Sequence, residues 1–151
     1  MTSGKQAEVS IALVIENVPG KTAVTDAIDR SRIEHLVRLI LDSENVPWSH
    51  IGVIFSTHEF VRNLNNTWLG HDHDTDVLSF IIDETDSGLE GEVYVDVETA
   101  LERYEEFNAT LQSELERYVV HGVLHLAGHE DSAGRDKNQM HELEDFYLTQ
   151  L

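Results

Sequence analysis

The sequence has no cysteine and only three lysines among its 151 residues. The first absence excludes disulfides, thiolate metal sites and cysteine nucleophiles, so any bound metal must be held by imidazole or carboxylate. The second, with 10 basic side chains against 29 acidic ones and a formal charge of −19, excludes two classes of partner. Diffuse nucleic-acid binding by counterion release and docking on an anionic membrane both need a basic surface. No stretch of about 18 apolar residues is present, and the start, Met1 to Lys5, lacks the apolar segment of a secretory signal. The expectation is a soluble cytoplasmic protein with no membrane partner. An acid-rich, lysine-poor surface also suits a solvent in which salt screens self-repulsion, the Debye length being about 3 Å at 1 M. A host with molar internal salt is therefore expected.

What is present is enough apolar material, 40% of residues, for one core. Apolar residues recur with helix and strand periods, which argues against disorder despite the charge. Alternation over Glu8 to Val14 predicts a strand, and Pro19 and Gly20 then interrupt it. Helical spacing of Ile33, Leu36, Val37, Ile40 and Leu41 predicts a helix from about Asp29 to Ser43. Ile51 to Phe55 reads as a strand, followed by a helix from Glu59 to about Trp68 with Ser56 or Thr57 as its cap. Val77 to Ile82 and Glu92 to Val97 read as an antiparallel pair joined by a long polar loop, because so short a connection cannot make a parallel crossover. Helices are expected over about Val97 to Phe107, Thr110 to Ala127 and Arg135 to Leu148. The fold class is α+β: a single domain over 1–151, with a small mixed sheet of about four strands covered by about five helices. The scattered aromatic residues, Trp48, Trp68, Phe80, Tyr94, Phe107, Tyr118, Phe146 and Tyr147, read mostly as core, and Glu142, Glu144 and Asp145 as a solvated helix face.

With cysteine absent, the nine histidines are the informative minority. The sharpest pattern is His121-Gly-Val-Leu-His125-Leu-Ala-Gly128-His129-Glu130-Asp131. Histidines at i and i+4 share one helix face and can reach one ion; Gly128 permits the left-handed turn that swings the following residues back toward them. A metal site at the end of a central helix is therefore expected, and a third ligand six residues after the second histidine is geometrically reasonable. The residue after the first histidine is Gly122, where a zinc-peptidase helix has its glutamate base, which weakens a peptidase reading.

This run, with Leu64-Asn65, Thr75-Asp76-Val77-Leu78-Ser79-Phe80 and Gly91-Glu92-Val93-Tyr94-Val95, resembles the YbeY family of bacterial rRNA maturation factors. The family pattern is HGxLHLxGxDH, preceded by LN and TDVLSF, and the resemblance spans about Phe55 to Leu148. It implies an endoribonuclease with one zinc ion that cuts single-stranded RNA in 16S rRNA 3′-end maturation and ribosome quality control, with the small ribosomal subunit as partner. His121 and His125 match the first two zinc-binding histidines. The family's last histidine falls on Asp131 and the aspartate before it on Glu130. The ligand set is accordingly His121, His125 and Asp131, with His129 as the competing third ligand, and His121, His125 and Glu130 are the candidate catalytic residues. Many members carry an arginine between LN and TDVLSF that is thought to meet RNA phosphate; Leu69 stands there instead. Arg62, His71 and His73 are the candidate substitutes, and Asp76 and Ser79 could orient the site. Two other readings stand beside this one: a metal-dependent hydrolase of another substrate, and a ribosome-associated binding protein with a structural zinc.

Overall fold

The computed structural model describes residues 7–69, 76–131 and 134–151. Strand β1 (Glu8–Val14) leads through α1 (Lys21–Ala27) and α2 (Arg30–Ser43) to β2 (Trp48–Ser56). Helix α3 (His58–Leu69) precedes the hairpin β3 (Val77–Thr85) and β4 (Gly88–Asp96), and α4 (Val97–Arg103), a short 3-10 turn (Tyr104–Phe107), α5 (Leu111–Leu126) and α6 (Gly134–Leu148) complete the chain. The sheet order is β1-β2-β4-β3. β1 and β4 both run parallel to β2, and β3 runs antiparallel to β4, so the sheet is mixed and the class is α+β as expected.

Three features differ from the sequence reading. α1 is an additional helix, short and burying only Val24, too little apolar signal to register as a period. The expected long loop between β3 and β4 is instead a tight connection of Asp86 and Ser87. The outer half of β3, from Ile81 to Thr85, is exposed and polar toward its end, so its strand state comes from ladder pairing with β4 rather than from its own composition. The helix expected to run through Phe107 is α4 followed by the 3-10 turn.

α5 lies at the centre, packed against α2, α6, β3 and β4. Leu115, Val119, Val120, Val123 and Leu124 are all buried, and a helix apolar on most of its circumference is one that the core surrounds. It opens with a capping box in which Thr110 and Ser113 satisfy each other's backbone N–H groups. Ile33, Leu36, Val37, Ile40 and Leu41 of α2 and Ile51, Val53 and Phe55 of β2 complete the same core. Truncating any one of these to alanine costs about 2–5 kcal/mol. A bidentate pair from Arg32 to buried Glu116, at 2.9 and 3.0 Å, ties α2 to α5.

Candidate metal centre and its cavity

The last two turns of α5 approach the sheet closely, and this approach positions the metal-type side chains. A Cβ on Gly122 would stand 2.4 Å from Val93 Cγ1 and 3.0 Å from Val77 Cγ2. Any side chain there would force Val93 or Val77 to shift, so the helix has little room for a glutamate at the position where a zinc peptidase has its base. The Ser79 hydroxyl donates to the Gly122 carbonyl at 2.6 Å, pinning the helix to β3 one residue beyond His121.

The helix then ends in a Schellman motif. Gly128 takes φ 101°, its N–H donates to the His125 carbonyl and the His129 N–H to the Leu124 carbonyl, each at 3.0 Å. The reversal returns Asp131 to the histidines. Its carboxylate lies 3.2 Å from His121 Nε2 and 3.5 Å from His125 Nε2. The donor atoms of His121, His125 and Asp131 all fall within 4.8 Å of one another, and all three residues are half-buried.

The tautomers follow from the other ring nitrogens. His125 Nδ1 donates to the His129 carbonyl oxygen at 2.9 Å, and His121 Nδ1 donates to the buried Glu144 carboxylate at 2.7 Å. Both partners are acceptors, so each neutral ring carries its proton on Nδ1 and presents a lone pair on Nε2. The two Nε2 atoms stand 2.9 Å apart beside a carboxylate. Three electron-pair donors converging without a proton among them form a cluster that suits a cation. Burial, and next the neighbouring His121, hold His125 below its ordinary value of 6.5, which favours the neutral, ligating form. The donor set therefore fits a metal ion of the imidazole-carboxylate type.

His129, the competing third ligand, is engaged elsewhere. Its Nε2 lies 2.5 Å from Glu44 Oε1 at the end of α2, and Glu44 also accepts from the Tyr147 hydroxyl at 2.7 Å. Burial raises the Glu44 carboxyl, but these hydrogen bonds outweigh it and hold the group low; burial and Glu44 push Tyr147 up to about 12. Glu130 is exposed on the turn; its charge acts on His125 without joining the cluster.

Glu144 was not legible as a site residue. It is 2% exposed rather than solvated, and it also accepts from Arg117 at 3.0 Å. The available signal was spacing: Met140, Glu144 and Tyr147 recur at helical intervals and all three are buried, with Glu142 and Asp145 on other faces. A metal-ligating histidine characteristically gives its second N–H to such a carboxylate.

Beside the cluster lies a cavity of about 900 Å³, lined by His121, Asp131, Asp76, Arg103, Phe107 and residues of α5 and α6. Asp76 thus faces the site, its carboxyl raised chiefly by burial. Arg62 is exposed on α3 and does not line this cavity; His71 and His73 lie outside the described residues. Trp48, Tyr118 and Tyr147 are buried as expected, whereas Trp68, Phe107 and Phe146 are exposed, corrections to the core reading.

The family model for endoribonuclease YbeY matches residues 15–151. The chain belongs to the YbeY family. It is 40% identical to an endoribonuclease YbeY of Salinibacter ruber, over 80% of this chain and 82% of that one. It is 34% identical to one of Chlorobium phaeovibrioides over 81% and 82% of the respective chains. The solution structure of a Thermotoga maritima protein aligns with TM-score 0.53 at 30% identity, covering 93% of this chain and 86% of that one. Membership of the YbeY family supports an endoribonuclease role, a hydrolase of phosphodiester bonds. No helix among the described residues is long and apolar enough to cross a membrane.

Proposed function

We propose that the chain is a zinc-dependent, single-strand-specific endoribonuclease that acts in the cytoplasm on 16S rRNA 3′-end maturation and in ribosome quality control, with single-stranded rRNA and the small ribosomal subunit as its partners. The observation that carries the metal part of this reading is the convergence of His121 Nε2, His125 Nε2 and an Asp131 carboxylate oxygen within 4.8 Å. A zinc ion held there supplies a Lewis acid for a phosphoryl oxygen and lowers the pKa of a water molecule.

The chain's own groups set the terms of that chemistry. Asp131, where the family pattern has a third histidine, lowers the local charge by one unit and weakens phosphate attraction relative to three imidazoles. Glu144 and the His129 carbonyl fix both imidazoles in the ligating tautomer. Glu130, exposed on the turn beside Asp131, is the carboxylate we assign to accept a proton from the solvent side, and Asp76 faces the cavity from just before β3. The crowding at Gly122 disfavours a peptide hydrolase, because a glutamate base has no space there. The charge of −19 favours the other alternative, a ribosome-associated binding protein with a structural zinc.

The experiment is cleavage of a single-stranded RNA and of its duplex by zinc-loaded protein at high salt, with His125→Ala as control. Cleavage of the single strand alone, lost in the variant, supports the nuclease. Equal cleavage by wild type and variant marks a contaminant and favours the binding protein.

A further inference from the structure

The cavity beside the cluster has a corner that neither the metal chemistry nor the family motifs use. α4 ends at Arg103, the 3-10 turn ends at Phe107, and Asn108 in the left-handed conformation (φ 53°) turns the chain toward α5. Backbone hydrogen bonds from Asn108 N–H to Glu105 and from Ala109 N–H to Tyr104, at 3.2 and 3.1 Å, hold this corner without help from the Phe107 side chain. That ring is 57% exposed. The Arg103 guanidinium lies over the ring, 5.6 Å from its centroid, and its ion pair with exposed Glu106 is a long 3.8 Å contact. Arg117, in the same cavity, is committed to Glu144 and Asp145 at 3.0 and 2.7 Å. Arg103 lies within range of the charges of Asp76 and Glu114 in the same cavity but makes no hydrogen bond to either, so it is the arginine of this cavity with N–H groups to offer a ligand, in a protein that is otherwise strongly acidic. It sits in the wall shared with His121 and Asp131.

We propose that Arg103 and Phe107 form a nucleotide subsite for single-stranded RNA, the guanidinium taking a backbone phosphate and the ring stacking the attached base. The inference rests on the endoribonuclease reading and adds to it a phosphate contact that does not depend on the segment around Leu69. An exposed aromatic beside an arginine is the arrangement by which unpaired strands are held without base-specific contacts. A base can stack there only when it is out of a duplex, so the subsite selects single strands.

The test is fluorescence anisotropy with zinc-loaded protein and a short 2′-O-methyl oligonucleotide, compared with strands carrying one abasic position. Phe107→Leu is expected to weaken binding about tenfold, within the range for loss of one stacked base. One abasic position should cause the same loss in wild type and no further loss in the variant. Arg103→Gln should weaken binding and reduce its salt dependence by about one phosphate contact, and Arg103→Lys should keep that dependence. All three variants should melt like wild type, since neither side chain supports the corner. Wild-type binding unchanged by Phe107→Leu and Arg103→Gln overturns the subsite. Failure of wild type to bind any strand overturns the RNA reading itself, and the subsite with it.

Discussion

Glu144 on α6 accepts a hydrogen bond from Nδ1 of His121 on α5 at 2.7 Å, so the helix nearest the C-terminus orients a ligand-type side chain on the central one. Glu144→Gln keeps the shape of the side chain but allows its amide N–H to face His121. The expected result is a metal affinity lower by about 10- to 100-fold, the usual cost of losing such a partner. Competition against a zinc chelator measures it, and an unchanged affinity would remove Glu144 from the account of the site.

Asp131 and His129 separate cleanly by substitution. Asp131→Ala should abolish stoichiometric zinc binding. His129→Ala leaves the backbone carbonyl that orients His125 and should keep the metal, while losing about 1 kcal/mol of stability from the bond to Glu44. Metal content and denaturant melts of the two variants check both halves.

Crowding at Gly122 predicts a specific pattern of rescue. Gly122→Ala places a Cβ 2.4 Å from Val93 Cγ1 and should destabilise the fold by about 1–3 kcal/mol. Adding Val93→Ala should recover part of that loss, although the second change alone is destabilising. Simple additivity in the double-mutant cycle would show that the two residues do not compete for space.

Asp76 carries a pH signature. Burial raises its carboxyl above 3.8, so the folded chain binds the proton more tightly than the unfolded one. The charged form therefore costs stability as pH rises from 3.8 through the folded value, and the cost is fully present at neutral pH. Asp76→Asn should raise the melting temperature at pH 7, with the gain vanishing below 3.8, while activity falls because the carboxylate faces the cavity. A variant that is less stable at neutral pH would contradict this.

Most of the frame was legible because its periods are strong. Leu115, Val119 and Val123 mark α5 as a buried helix, and alternation marks β1. The i, i+4 histidines and Gly128 also announced a converging site, since helix geometry and a left-handed turn fix where their neighbours go. What escaped depends on tertiary context. The end of β3 is a strand only because β4 pairs with it, and Glu144 resembles its solvated neighbours until α6 docks on α5. Phe107 reads as core in the sequence because an exposed aromatic leaves no trace in composition; only the corner after α4 shows that its ring is left outside.

The central claim is that His121, His125 and Asp131 hold the metal on which phosphodiester cleavage depends. An anomalous difference map at the zinc edge, from crystals of zinc-loaded protein, tests it most directly. The account predicts one peak bounded by His121 Nε2, His125 Nε2 and an Asp131 oxygen, with His129 still on Glu44. A peak ligated by His129 in place of Asp131, or no peak at these residues, would contradict it.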